Sequence, residues 1–262
     1  MLKAEHLVVR YGGPGLGNSL DNISLLLNSE KVVIVGPNGS GKTSLIKAFL
    51  GLVPAVSGTI EAFGKPVQKI SNLLSLSTNL PEVYRLLNLK LKNLLELYAD
   101  IKGADPAKAL NLIMEFQLDH LLEKNMYHLS SGEQKMVCNI LSLSFSPETI
   151  LLDEPFDNVD QGRRMKLAKI LNALDCEILL NTHEFEVIKR LEGWSMYFLI
   201  EGKLFGKFTA SQLPNLYINK GISEGSISTI ETSFGNYSIS ENKGEIPISK
   251  ARNLSALLEE VA

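Results

Sequence analysis

Long apolar runs, cysteines and blocks of like charge are all scarce in this chain of 262 residues, and each scarcity excludes something. No apolar stretch reaches the roughly 18 residues that a membrane span requires, and Met1-Leu2-Lys3-Ala4-Glu5 does not read as a secretory signal. A cytoplasmic location is therefore expected, with any membrane role running through another polypeptide. The only cysteines, Cys138 and Cys176, lack metal-ligand spacing and fall in segments read as helix and strand, so they read as buried small hydrophobes in a reducing compartment. Net charge is −3, with both signs mixed along the chain and no basic block, so nucleic acid is not an expected partner. The length suits one large α/β domain with appendages or two small domains.

What is present is organised around Gly36-Pro37-Asn38-Gly39-Ser40-Gly41-Lys42-Thr43-Ser44. The run Lys31-Val32-Val33-Ile34-Val35 before it is apolar and β-branched, as a buried parallel strand is, and Lys42 to Leu50 after it has helical composition. Residues 36–41 then form a wound loop between a strand and a helix N-terminus. Gly36, Gly39 and Gly41 let backbone N–H groups curl inward, and the helix end adds partial positive charge, which together make a polyphosphate cradle. Lys42 supplies a full charge to the β- and γ-phosphates, and Thr43 places a hydroxyl where a phosphate-bound Mg²⁺ takes a ligand.

Upstream, Leu2 to Arg10 reads as a strand ending at Tyr11-Gly12-Gly13, and Ile23 to Leu27 as a second strand. Tyr11 lies at a strand end that a sheet would bring near a bound nucleotide, although a tyrosine there serves packing equally well. Gly58 to Phe63 alternates as an exposed strand, and Leu73 to Ser77 reads as another short one. From Leu80 to His128 the pattern is helical. Leu89, Leu91, Leu94, Leu95 and Tyr98 stripe one segment, and Asp105-Pro106 caps a second that carries Leu110, Ile113 and Met114. Strand character returns at Thr149 to Leu152, a helix follows with Leu167, Ile170, Leu171 and Leu174 on one face, and Glu177 to Thr182 is again a strand. Strand, helix, strand at this spacing predicts a parallel sheet with right-handed crossovers.

Such sheets bind ligands at the carboxyl ends of their strands, where Asp153, Glu154 and His183 also fall. With a Mg²⁺-nucleotide in the cradle, Asp153 would bind the metal through water and Glu154 would polarise an attacking water. His183 would contact the γ-phosphate. Hydrolysis then needs little beyond positioning, charge neutralisation and that oriented water.

Taken in order, Gly36 to Ser44, Leu129-Ser130-Ser131-Gly132-Glu133, Leu151-Leu152-Asp153-Glu154-Pro155, Asn158-Val159-Asp160 and Thr182-His183-Glu184 resemble the nucleotide-binding subunits of ATP-binding cassette transporters over residues 1–212. The resemblance implies an α/β P-loop NTPase with a mostly parallel central sheet, an N-terminal antiparallel β subdomain and a helical subdomain inserted at about residues 80–145. A small α+β extension, regulatory or dimerising, is expected over 213–262, with short strands at Ile227 to Thr232, Tyr237 to Ser240 and Ile246 to Ser249 and a closing helix from Ala251 to Val261. By the same resemblance residues 36–44 match the Walker A loop, Asp153 the Walker B aspartate and Glu154 the catalytic glutamate. Asp160 matches the D-loop aspartate, His183 the switch histidine and Tyr11 the ring that stacks on adenine. Ser130, Ser131, Gly132 and Glu133 match the signature, whose N–H groups and Ser130 hydroxyl would form a second anion site for the nucleotide of a second cassette subunit. ATP and Mg²⁺, a dimer and separate transmembrane permease subunits are the implied cofactors and partners, and the chain would sit on the cytoplasmic face of the membrane through its permease.

The chain departs from the family pattern in three places, one of them a pair of signature residues. Ser131 and Glu133 stand where glycine and glutamine are usual, Glu133 adding a negative charge near an anion site; Leu141 stands where arginine is common, and the glutamine expected before the helical subdomain has only Asn79 near it. Asn79 is one methylene shorter, so a metal contact from it would pass through a water or a backbone shift. ATP hydrolysis that powers a transporter is the leading expectation, with a metal ion such as cobalt or a vitamin as importer substrate, and simple export as an alternative. A soluble cassette ATPase for repair, iron–sulfur assembly or translation, and a slow nucleotide-gated clamp, are the rival readings. The short span from Asn79 to Ser130 leaves no room for the long coiled coil of chromosome-maintenance ATPases.

Overall fold

The computed structural model describes residues 1–11, 17, 19–70, 74–84, 88–233 and 235–250. In chain order the elements begin β1 (Leu2–Val9), β2 (Leu20–Leu27), β3 (Lys31–Val35), α1 (Lys42–Phe49), β4 (Ser57–Ala62), β5 (Lys65–Pro66) and β6 (Leu76–Thr78). There follow α2 (Pro81–Tyr84), α3 (Leu91–Lys102), α4 (Ala107–Glu115), α5 (Ser131–Ser144), β7 (Thr149–Asp153), α6 (Gln161–Ala173), β8 (Glu177–Thr182) and α7 (Phe185–Ile188). The chain closes with β9 (Ser195–Ile200), β10 (Lys203–Thr209), β11 (Leu216–Lys220), β12 (Ser228–Thr232), β13 (Gly235–Glu241) and β14 (Ile246–Pro247). Two units contain them, residues 1–70 with those from Asn181 onward, and Ser71–Leu180.

The first unit holds an antiparallel sheet in the order β2-β1-β4-β5. Its strands alternate as a sheet with one covered face must: Leu2, Ala4, Leu7 and Val9 of β1 and Leu20, Ile23, Leu25 and Leu27 of β2 are all buried. The same unit holds β10-β9-β3, with β3 parallel to β9 and β10 antiparallel to it. Four successive residues of β3, Val32 to Val35, are buried, the near-continuous apolar run of a strand covered on both faces. A third sheet, β12-β13-β11-β14, is antiparallel throughout and carries the strands expected after residue 212, together with β11, which the sequence pattern does not reveal. The helix expected over 251–261 lies outside the described residues.

In the second unit β8, β7 and β6 stand in that order, with β6 and β7 parallel. Around this edge are helices whose buried faces differ in detail from the expected stripes. Leu91, Leu94 and Leu95 of α3 are buried, but Leu89 precedes the helix. Helix α4 buries Ala109 and Ile113, while Met114 is 60% exposed, so the apolar stripe runs through the small Ala109 and on to Phe116. The strand expected at Leu73 to Ser77 starts only at Leu76; Leu73 lies outside the described residues. Cys138 is buried as expected, whereas Cys176 precedes β8 and is half-buried; neither forms a disulfide. Among the described residues no helix is long and apolar enough to cross a membrane.

Candidate nucleotide-binding site

In the first unit, β3 feeds directly into the loop 36–41 and then α1. Two of its glycines are dictated by space. A Cβ on Gly36 would lie 2.2 Å from the Leu199 carbonyl oxygen, and one on Gly41, at φ +105°, would lie 2.2 Å from the Ser19 carbonyl oxygen. Backbone bonds lock the loop from outside: the Gly202 N–H donates to the Ser40 carbonyl at 3.0 Å and the Leu45 N–H to that of Gly41 at 3.0 Å. Lys42 is only 6% exposed, and its Nζ donates to the carbonyls of Gly36 at 2.8 Å and Pro37 at 3.0 Å, so its charge is held inside the loop.

Ser40 Oγ is buried and has no hydrogen-bond partner among the described residues. A buried hydroxyl without a partner is costly, about 1–3 kcal/mol, and a phosphate oxygen is a suitable acceptor for it. That orphan, the internal lysine and the glycines packed against backbone are the features a polyphosphate requires, and the loop fits one. Asn38 and Gly39 form its exposed tip, Thr43 is half-buried and Ser44 buried on the first turn of α1. Tyr11, just past β1, is 47% exposed, which leaves its ring open to a planar ligand. His183 directly follows β8 and is half-buried, in a turn where the Glu184 N–H donates to Thr182 Oγ1 at 3.2 Å.

In the second unit Asp153 ends β7, and Glu154 follows with φ +44°. That left-handed backbone is unusual for glutamate and is held by a turn in which the Asp157 N–H donates to the Glu154 carbonyl at 3.2 Å. Asn79 is placed otherwise than expected of a metal ligand. It is fully buried; its Oδ1 accepts from the Asp153 N–H at 2.7 Å, and its Nδ2 donates to the Asp153 carbonyl at 3.2 Å and to Asn139 Oδ1 at 2.8 Å. Its amide serves the main chain of Asp153 and its neighbour Asn139.

The signature stretch also departs from expectation. Ser130 is the N-cap of α5 in a capping box: its Oγ accepts from the Glu133 N–H at 3.3 Å, and Glu133 Oε2 accepts from the Ser130 N–H at 2.7 Å. The Ser130 N–H is thus occupied by Glu133 and does not belong to an anion site. Its hydroxyl is also turned to the Glu133 carboxylate, so the donors left at the helix start are the N–H groups of Ser131 and Gly132. Gly132 is obligatory, because a Cβ there would lie 2.4 Å from the Asn158 carbonyl oxygen. Glu133, which as a bare charge looked adverse to an anion, is a cap. Asp160 likewise caps α6, accepting from the Arg163 N–H at 3.0 Å.

The Ser130 N–H, then the Ser130 hydroxyl, hold the Glu133 carboxyl below its ordinary value. A depressed carboxylate contributes stability above its unfolded pKa, near 4.3, and loses it as pH falls through the lower folded value. Glu133→Gln, which can keep the box without the charge, is expected to lower the thermal midpoint slightly near pH 7 and to flatten its decline below about pH 4. A denaturation series across pH measures both, and an unaltered acid limb would remove Glu133 from the cap. Asn139 and Lys135 contact the Asp153–Pro155 turn and were not legible as functional residues; the Ser-x-x-Glu box was, since its spacing alone signals a helix start.

Comparison with known proteins agrees with this geometry. The family model for ABC transporters matches residues 20–157. The zinc import ATP-binding protein ZnuC of Pseudomonas fluorescens is 29% identical over 197 residues, 72% of this chain and 69% of the relative. ZnuC of Photorhabdus laumondii is 32% identical over 194 residues, 72% and 70% of the two chains. A solved structure provisionally named a cobalt transport ATP-binding protein (cbiO-2) superposes with a TM-score of 0.91 at 32% identity, over 99% of each chain. The α/β cassette fold expected from the sequence is the fold found. The chain belongs to the ABC transporter family, as an ATP-binding subunit that hydrolyses ATP to drive transport.

Proposed function

We propose that this chain powers the import of a divalent transition-metal ion, with zinc and cobalt as the first candidates. The names of its relatives support the substrate class. The observation that carries the ATP-dependent part is the loop 36–44, with its glycines set against backbone, the buried Ser40 hydroxyl and Lys42 held inside.

In this reading Lys42 and the N–H groups of residues 36–44 hold the phosphates, and Tyr11 stacks on the adenine. Thr43 and Asp153 would hold Mg²⁺, which would supply neutralisation of the polyphosphate's charge. Glu154 takes a proton from the attacking water as its oxygen bonds to the γ-phosphorus and the bond to the departing ADP breaks. His183 steadies the γ-phosphate. Ser130, Ser131 and Gly132 meet the nucleotide held by a second cassette, with Asp160 at the same junction, so nucleotide closes a head-to-tail dimer and hydrolysis opens it. Separate permease subunits carry the ion and hold the cassette at the cytoplasmic face, and residues 213–262 form a regulatory or dimerising extension of the 1–212 cassette.

The test is uptake into vesicles that carry the full chain with a membrane protein encoded beside it. ATP-dependent accumulation of labelled cobalt or zinc is expected. Accumulation of an organic vitamin alone would change the substrate class, and ATP turnover with no membrane partner and no uptake would favour a soluble cassette ATPase.

A further inference from the structure

The geometry points to Asn79 and Asn139 as one positioning unit for the Asp153-Glu154-Pro155 turn, with Lys135 joining it to helix α5. The inference rests on the reading of Glu154 as the group that activates water; it adds Asn139 and Lys135, to which no role in the reaction had been given, and gives Asn79 a positioning role in place of a metal contact.

The last backbone bond along the end of β6 runs from the Asn79 N–H to the Leu151 carbonyl at 3.4 Å. The Asn79 side chain then continues the ladder, accepting from the Asp153 N–H at 2.7 Å and donating to the Asp153 carbonyl at 3.2 Å. From α5, Asn139 accepts from Asn79 Nδ2 at 2.8 Å and its own Nδ2 donates to the Pro155 carbonyl at 2.7 Å. Lys135 Nζ, one turn earlier on α5, donates to the Asp153 carbonyl at 2.9 Å. The main chain before and after Glu154, at Asp153 and Pro155, is thus tied by two amides that are bonded to each other.

Both asparagines are fully buried. Buried amides are tolerated only when satisfied, and this pair is satisfied in one orientation: the Asp153 N–H at one end requires an oxygen, and the Pro155 carbonyl at the other requires a nitrogen. Glu154, between those ends, is in the left-handed region that a non-glycine residue enters only under constraint. A leucine pair would fill the same space but would not hold the two peptide groups. The clamp therefore sets the backbone from which the Glu154 carboxylate projects, and through Asn139 and Lys135 it ties that backbone to the helix opening at the signature residues.

The experiment compares full-length Asn79→Leu, Asn139→Leu, the double variant and Lys135→Met with the natural chain. Steady-state ATPase, equilibrium ATP titration, thermal midpoint and amide exchange of the peptide over 150–157 are measured. Each leucine variant is expected to lower kcat about 10- to 100-fold, with KM and ATP affinity within about threefold, since small misplacements of a reacting group have effects of that size. The double variant should resemble the worse single one, because both amides serve one turn. Exchange should quicken over 153–157 and stay slow in β3. Lys135→Met, at a half-exposed position that folding tolerates, should lower kcat about threefold at constant KM. Effects that multiply in the double variant, or kcat that merely follows the folded fraction, would overturn the proposal; so would an unchanged kcat in Lys135→Met should the leucine variants not fold. Glu154→Gln is the reference: if it turned over normally the assignment of Glu154 would fall, while the exchange pattern would still report the clamp.

Discussion

Lys42→Ala removes measurable ATP binding. The side chain has two tasks. As the residue that brings a full positive charge into the loop, it meets phosphate oxygens in a setting that is 6% exposed, where a charge-assisted bond is strong. As a donor to the carbonyls of Gly36 at 2.8 Å and Pro37 at 3.0 Å, it also neutralises acceptors that would otherwise face the anion. Truncating one partner of such a buried charged contact costs about 2–5 kcal/mol, or roughly thirty- to several-thousand-fold in affinity. Lys42→Met, which keeps the stem volume, should lose nearly as much, because the loss belongs to the ammonium group. Nucleotide titration by calorimetry measures both variants, with the thermal midpoint as a control for folding. An affinity within a few-fold of the natural chain would mean that the loop is not the phosphate site.

The phosphate loop was legible because its requirements are local. A strand with four apolar residues in a row, glycines at fixed spacing and a helix start are all visible in residues 31–50, and the structure gives steric reasons for Gly36 and Gly41. Asp153 was legible as the end of an apolar strand for the same reason. Asn79 was not, because its partners are remote in the chain: Asn139 lies 60 positions on and Asp153 74. Spacing marks where a polar side chain sits along the chain; what it bonds is settled by packing. The sequence therefore suggested a metal ligand where the fold has a bridge. Glu133 was misread in the other direction, its charge weighed and its cap geometry passed over, although the cap is a four-residue pattern. Met114 shows a third cause. Near the end of a short helix, neighbouring positions on the apolar side differ by a single step of rotation, and in α4 the contact fell to Ala109, Ile113 and Phe116. The edges of strands and helices were also the least visible, as β6 and β11 show, because buried strands so short leave no period to read.

Glu154→Gln keeps ATP binding, loses turnover and accumulates an ATP-dependent dimer. Glutamine preserves the length and shape of the side chain at a position whose backbone is already constrained at φ +44°, so the turn from Asp153 to Pro155 and its ties to Asn79 and Asn139 persist. What is lost is the capacity to accept a proton from water, since an amide is not a base near neutral pH. General-base assistance is typically worth about 10²- to 10⁴-fold, and kcat should fall by that much with ATP affinity nearly unchanged. Thr43 and Asp153, the proposed metal ligands, are intact, so nucleotide still favours the closed dimer, and without hydrolysis the opening step is withheld. Size-exclusion chromatography with and without Mg-ATP, run beside a steady-state assay, reads all three expectations together. Persistence of a monomer in Mg-ATP would rule out the head-to-tail pairing of Ser130, Ser131 and Gly132 with a second nucleotide. Turnover at the natural rate would remove Glu154 from the chemistry and leave Asp153 or His183 to orient the water.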